Sequence, residues 1–383
     1  MRFCTKEVDM TASDLKNSAR SFLKKNVVMI IAFVAAAITC FFVPFDKEYA
    51  GYFDLKTLTC LFCTLAVVCA LKDVDFFYVL AQRTVLLFRN ARATVLALVF
   101  VTFFGSMLIA NDMALITFLP LGYFVLSSTG KEKYAAFTFV MQNIAANLGG
   151  MLTPFGNPQN LYLYSKFSIP TSEFVSVMAI PFAVSAVLIT ACCLIFVKRE
   201  PLELSAPKEK LNIPRTVFYL LLFAYSIIIV FRVVPFWTGL IVIPVALLIT
   251  DPKALLKVDY PLLATFVFFF IFAGNMSRID PVREFLSSLL QKNTLLVSVS
   301  SCQFISNVPT AVLLSRFTDN YRDLLVGVNI GGTGTLIASL ASLITLREYS
   351  ARYPEKTLKY IGVFSAFNFA FLLILTGIML LVK

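Results

Sequence analysis

The sequence predicts an all-α polytopic membrane protein built as an inverted repeat, with two re-entrant hairpins, two interrupted transmembrane helices, about nine spans and an N-in, C-out orientation. Three observations predict it: a composition too apolar for a soluble surface, basic residues biased to one side of the apolar runs, and a polar, glycine-rich motif that occurs twice. Of 383 residues, 59% are hydrophobic and 14% charged, and the mean hydropathy is +0.83. A soluble domain charges about a quarter of its residues, so most of this exterior must face the lipid bilayer. The net charge of +11 would suggest a nucleic-acid partner in a soluble chain. Here the basic residues lie between apolar runs, where they set orientation, and no nucleic-acid partner is expected. The absence of His removes the commonest zinc ligand and the Ser/His/Asp triad.

The apolar runs of spanning length are 26–45, 55–72, 133–165, 172–197, 216–235, 236–250, 259–275, 322–346 and 358–382. The run 236–250 is short. No cleavable signal peptide is legible, since the first run begins near Asn26 after a charged segment and is long enough to span. Placing the N-terminus in the cytoplasm puts most of the 33 basic residues on that side, including Lys72, Arg83, Arg89, Arg92, Lys198, Arg199 and Arg347. The stretch 293–317 is too short to cross twice, and a single crossing would move the basic loop 347–359 outside. A re-entrant hairpin turning at Ser306-Asn307-Val308-Pro309 resolves the conflict, because non-spanning backbone is tolerated where protein buries it. The stretch 93–127, centred on Asn111-Asp112, follows the same plan by analogy. Two spans there would leave the orientation unchanged. Amphipathic segments, Asp73–Asn90 and Ile279–Lys292, precede the two hairpins and are expected to lie in the interface.

The halves correspond. Asn147-Leu-Gly-Gly150 is echoed by Asn329-Ile-Gly-Gly332, and the offset of 182 continues to Thr153 against Thr335 and Leu161 against Leu343. Upstream, Ala110-Asn111 is echoed by Ser306-Asn307 at an offset of 196; the missing 14 residues are expected in the connection Ser127–Tyr134. The expected organisation is a cytoplasmic segment 1–25, a first transmembrane repeat 26–197, a linker and connecting helix 198–235, and a second, inverted repeat 236–383. Such repeats bring helix ends together at mid-bilayer in secondary transporters.

Four polar breaks lie in apolar context: Asn111-Asp112, Asn147–Asn160, Ser306–Thr310 and Asn329–Ser342. Their Pro and Gly cannot continue a helix. Unwinding frees backbone groups, each costing several kcal/mol or so if left unpaired away from water. Carbonyls and Asn or Ser oxygens can then coordinate Na⁺, while half-helix N-termini attract anions. The candidate substrate and ion ligands are Asn111, Asp112, Asn147, Gly149, Gly150, Thr153, Gly156, Asn157, Asn160, Ser306, Asn307, Thr310, Asn329, Gly331, Gly332, Thr333 and Thr335, with Na⁺ at Asn111, Asp112, Ser306 and Asn307. The alternative is that the Gly and Pro are packed kinks. Asp112 is an acid deep in an apolar run and faces Val308 across the repeat. It suits a coupling cation, because a cation relieves the cost of a buried carboxylate; equally, its carboxylate could cap the Met113–Leu115 amides. Arg316 reads as an anion counter-charge or, more simply, as a side chain reaching the surface. Trp237 reads as an interface anchor. Of the eight cysteines, Cys60 and Cys63 have redox or metal spacing, but no second pair or His accompanies them. They read as small apolar residues in a helix.

The runs 111–120 (Asn-Asp-Met-Ala-Leu-Ile-Thr-Phe-Leu-Pro), 147–160 (Asn-Leu-Gly-Gly…Thr-Pro-Phe-Gly-Asn-Pro-Gln-Asn), 306–309 (Ser-Asn-Val-Pro) and 329–341 (Asn-Ile-Gly-Gly…Ile-Ala-Ser-Leu-Ala) resemble the ion transporter superfamily. The similar branch holds arsenical-pump membrane subunits, sodium/proton antiporters and citrate-transporter-like anion permeases. The resemblance spans nearly the whole chain. It implies a scaffold and a transport domain, a homodimer, and elevator-type alternating access. In dicarboxylate-transporting relatives, Ser-Asn-Thr hairpin tips bind Na⁺ and a substrate carboxylate. Of that pattern Asn111, Ser306 and Asn307 carry over, and the Asn-Asp tip is similar to the arsenite and antiporter branches.

The function these readings imply is secondary transport of a small inorganic or carboxylate anion across the cell membrane, coupled to Na⁺ or H⁺ and needing no other cofactor. A Na⁺/H⁺ antiporter without organic substrate is the alternative, with arsenite efflux behind it. An intramembrane enzyme or sensor would need a His, a metal cluster or an output domain. The chain carries no P-loop; a separate ATPase subunit, as in some arsenite exporters, stays open.

Overall fold

In the computed structural model, residues 26–202 and 211–382 are described, and they are helical with short connections. The expected N-terminal segment 1–25 and part of the linker lie outside these residues. Among the described residues, six helices are long and apolar enough to cross a membrane: Leu55–Asp73, Ala91–Ile109, Thr171–Phe196, Ile213–Val230, Tyr260–Ser277 and Pro354–Leu381. Large apolar side chains such as Phe41, Phe42, Val187, Ile195, Ile249 and Leu373 are mostly exposed on the outside, as a lipid-facing surface requires.

The first half runs α1 (Val27–Cys40), α2 (Leu55–Asp73), α3 (Phe76–Val85), a hairpin of α4 (Ala91–Ile109) and α5 (Asn111–Ser128), a broken helix of α6 (Ala135–Gly149) and α7 (Pro158–Lys166), and α8 (Thr171–Phe196). The connecting helix is α9 (Ile213–Val230). The second half runs α10 (Gly239–Thr250), a short α11 (Pro252–Leu256), α12 (Tyr260–Ser277), α13 (Asp280–Ile305), α14 (Asn307–Leu314), α15 (Tyr321–Ile330), α16 (Leu340–Arg352) and α17 (Thr357–Leu381). Within α13 the backbone is extended at Asn293, whose carboxamide accepts from Leu296 N at 2.9 Å. That side chain ends the amphipathic segment and starts the hairpin arm. Asn90 does the same for α4, accepting from Ala93 N at 2.9 Å, as asparagine at a helix start is suited to do.

Local chemistry repeats between the halves. Asp54 and Asp259 cap the second span of each, accepting from Thr57 N at 2.9 Å and Leu262 N at 3.0 Å. The far end of each second span is tied to the turn joining the first two spans of the other half. Arg278 donates to Asp46 and meets Glu48 at 3.3 Å, and Lys257 meets Asp73 at 2.6 Å. The difference in half length is not in the loop expected to hold it. The second hairpin arm has 18 residues in the first half and 8 in the second, and the following half-helix has 15 against 10. The extra residues are helical and extend existing elements, which costs no unpaired backbone.

The helices form two layers. In one, α1 packs on α12 and α2 packs on α9 and α10. The other holds the hairpins, the broken helices, α8 and α17, with α4 against α6 and α13 against α15. The layers meet where α14 packs on α12 and α7 packs on α2.

Candidate functional site

Each hairpin turns on one residue with a strained backbone: Ala110 at φ 61°, ψ 152° and Ser306 at φ 71°, ψ 159°. That region is essentially a glycine one, and holding another residue there costs on the order of 1–3 kcal/mol. The strain turns the chain in one step and places an asparagine first in each following helix. Asn111 and Asn307 each accept, through Oδ1, from the next residue's N–H, Asp112 at 3.0 Å and Val308 at 2.9 Å. The tip is therefore capped by Asn111. The Asp112 carboxylate, for which a capping role was open, caps nothing: its Oδ1 is buried with no hydrogen-bond partner.

The broken helices supply the rest. α7 and α16 start from extended residues at corresponding positions, Asn157 (φ −139°, ψ 144°) and Ser339 (φ −149°, ψ 142°). Each reaches across to the asparagine of the other half. Ser339 Oγ donates to Asn147 Oδ1 at 2.8 Å, and Asn157 Nδ2 donates to Asn329 Oδ1 at 3.3 Å. Asn111 Nδ2 also donates to Asn147 Oδ1, at 3.1 Å. Asn329 Nδ2 donates to Asn160 Oδ1 at 2.6 Å and to Leu325 O at 2.8 Å; Asn147 Nδ2 donates to Asn143 O at 3.2 Å. The first tip and both breaks thus share one network of buried asparagines. Gly332 brings in the second tip: a Cβ there would lie 3.0 Å from Asn307 Nδ2 and 3.5 Å from Asn147 Oδ1.

Much of the freed backbone is already satisfied. Asn160 Nδ2 donates to Gly150 O at 3.2 Å and Met151 O at 3.4 Å. Gln303 donates to Gly331 O at 3.0 Å and Thr333 O at 3.1 Å, and accepts from Thr335 N at 2.9 Å. The threonine hydroxyls among the candidates are spent locally: Thr153 on Met107 O, Thr335 on Gln303 O, Thr310 on Ser306 O and Thr333 on Ile330 O. Ser306 Oγ donates to Ala338 O at 3.3 Å, as does Asn307 N at 2.9 Å, so the second tip is tied to the second break. Gly149, Gly150, Gly156 and Gly331 allow close approach. A Cβ on Gly149 would lie 2.1 Å from Phe103 O, and one on Gly150 would lie 2.5 Å from Asn157 Oδ1.

Two buried oxygens on side chains of this network lack partners, Asn157 Oδ1 and Gln159 Oε1, and so does Asp112 Oδ1 on the residue that follows Asn111. All three are acceptors, and a buried acceptor without a donor is costly. A cation or proton suits such a set; among the described residues no cluster of three or more His, Cys, Asp or Glu forms a metal cage. Gln303, Gln159, Ser339 and Asn143 join the arrangement although they were not among the sequence candidates. A lone Gln three residues before a tip, in an otherwise apolar arm, was the available signal for Gln303. Arg316 does not reach for the surface as expected: it is half-buried and donates to Tyr52 O at 2.8 Å. Cys60 and Cys63 are buried free thiols.

An uncharacterized transporter of Methanocaldococcus jannaschii is 35% identical over 300 residues, covering 77% of this chain and 81% of the relative. The inner membrane protein YbiR of Escherichia coli is 28% identical over 320 residues, covering 80% and 83%. Residues 18–320 match the citrate transporter family, which takes in the first hairpin, both halves of the first broken helix and the second tip. The chain belongs to the citrate transporter family of membrane transporters.

Proposed function

We propose that the protein is a secondary active transporter of a small anion, a carboxylate or an inorganic oxyanion, coupled to Na⁺ or H⁺. The observation that carries the reading is the buried asparagine network at the hairpin tips and helix breaks, edged by three unpartnered oxygens. The oxygens suit the coupling cation, with Asp112 supplying the charge. The helix starts at Asn111, Asn307, Pro158 and Leu340 suit the anion, since their dipoles favour negative charge. In this reading the halves enter the membrane from opposite sides, N-in and C-out with about nine spans. The hairpins are re-entrant, and the layer holding them moves against the other as an elevator in a homodimer in the cell membrane. Citrate, the substrate in the family's description, is the first anion to test.

Proteoliposomes with imposed Na⁺ or pH gradients test it. Uptake of citrate, sulfate or arsenite should follow one gradient and fall to background in Asp112→Asn; uptake indifferent to both gradients contradicts the coupling. One observation favours a second reading, a Na⁺/H⁺ antiporter: the unpartnered atoms at the network are acceptors only. Proton movement triggered by Na⁺ alone, with no anion present, would select that reading.

A further inference from the structure

The two layers are fastened to each other at a seam away from the asparagine network, and the fastening is cationic. Arg232, just after α9 in one layer, donates to Tyr164 O and to Ile169 O in the other, and stacks 4.2 Å over the Tyr164 ring. Arg316, just after α14, reaches the opposite way to Tyr52 O at 2.8 Å. Ser165 Oγ donates to Asp54 at 3.4 Å across the same seam. Lys56 at the start of α2 feels the charges of Arg232 and Asp54, and Lys166 at the end of α7 feels those of Arg316 and Asp54. Each lysine thus lies near one arginine of its own layer, and both lysines lie near the Asp54 carboxylate. Asp54 spends its oxygens on Thr57 N, Thr57 Oγ1 and Ser165 Oγ. Among the described residues, none of the four cations is in a salt bridge. The Nε atoms of both Arg232 and Arg316 are buried and have no acceptor.

Like charges brought together at a partly buried boundary repel, and an arginine N–H buried without an acceptor is costly. One anion answers both. We propose that this seam is a second anion site, which takes a carboxylate or tetrahedral oxyanion between Lys56 and Arg232 of one layer and Lys166 and Arg316 of the other. Arginine's planar fork matches the oxygens of such ligands, and the α2 N-terminus adds its dipole. The site is separate from the asparagine network: Lys166 is about 10 Å along α7 from Gln159 at 1.5 Å per residue. An anion held there bridges the layers and reinforces the seam. The inference does not depend on which ion the network takes.

The test reads the two lysines directly. The purified protein is exposed to an amine-reactive reagent in sodium sulfate, sodium citrate or sodium chloride at equal ionic strength, and modification is followed by peptide mass spectrometry. Sulfate and citrate should slow modification of Lys56 and Lys166 together, several-fold relative to chloride, and leave exposed Lys253 unchanged. Arg316→Gln and Arg232→Gln should remove the protection. Asp54→Asn, which keeps an acceptor for Thr57 N, should strengthen it and shift it to lower anion concentration, so the outcome does not rest on loss-of-function variants alone. Asn307→Ala should leave it intact. Equal modification in all three salts overturns the proposal. So does protection that Asn307→Ala abolishes, which would place the anion in the network and not at the seam.

Discussion

The two hairpins share a backbone and differ in chemistry. Both turn on a residue near φ 61–71°, and both start the second arm with an asparagine that caps its own helix. The next residue is Asp112 in one and Val308 in the other. The second hairpin's arm is short and packs on α12. The first hairpin's arm is longer, and its Ile116, Thr117 and Pro120 border a cavity of about 180 Å³ shared with Lys72, Asp75, Phe77 and Tyr78. Corresponding backbones build the cradle. The charge lies on one side only, in the hairpin whose second arm borders that cavity. If coupling resides there, the symmetric parts should govern folding and the asymmetric residue should govern ion dependence.

The largest expected effect tests the symmetric part. Gly149→Val should prevent accumulation of folded protein, because even a Cβ would meet the Phe103 carbonyl at 2.1 Å, in backbone that cannot step aside. Gly331→Ala should be milder, since its nearest contacts, Gly327 O at 2.7 Å and the Cys302 side chain at 2.8 Å, include an atom that can move. Gly51→Val, with nothing within 4 Å, should express normally. Equal yields across the three would break the comparison. Next comes the asymmetric residue: Asp112→Asn should abolish gradient-driven uptake at near-normal yield, whereas Val308→Thr should leave the ion dependence unchanged. Third, Asn147→Ala and Asn329→Ala should each cost roughly 1–3 kcal/mol, since each strands buried partners. Their combined loss in thermal unfolding should fall short of the sum, because the two residues share one network.

The smallest effect lies outside the long apolar helices, just beyond Thr171–Phe196. Hydrogen bonds from Lys133 and Lys131 hold the Glu200 carboxyl at about 2, well below its ordinary range. A depressed carboxyl stabilises the fold above the ordinary glutamate pKa of ~4.3 and loses that contribution as pH falls towards the folded value. Glu200→Gln should therefore lower the melting temperature slightly at neutral pH, and the difference from the parent should shrink as the medium is acidified. A difference that grows with acid would contradict the assignment.

The sequence made the local features legible and left most of the cross-half contacts hidden. Five of the nine expected runs, 55–72, 172–197, 216–235, 259–275 and 358–382, appear as long apolar helices; these, the breaks at Asn147–Asn160 and Asn329–Ser342, and the tips at Asn111 and Asn307 follow from apolar run length and from what Gly, Pro and Asn do to a helix. The amphipathic segments lie at α3 and at the start of α13, as charge spacing indicates. Asn157 with Asn329, Ser339 with Asn147 and Arg316 with Tyr52 are separated by 172, 192 and 264 residues, and no window of sequence shows such pairs. For the same reason Gln303 read as one polar residue in an apolar arm, although it holds the second break. The change of offset from 196 to 182 places the extra length of the first half only somewhere between the two motifs. Here it lengthens two helices, which an offset between motifs cannot distinguish.

The account depends most on the two hairpins entering from opposite sides. In a cysteine-free protein reconstituted in sealed vesicles, single cysteines at Ser128, beyond the first hairpin, and at Thr318, beyond the second, can be labelled with a membrane-impermeant maleimide. The expected result is labelling of one position from outside the vesicle and of the other only after the membrane is opened. Labelling of both from the same side would contradict the account.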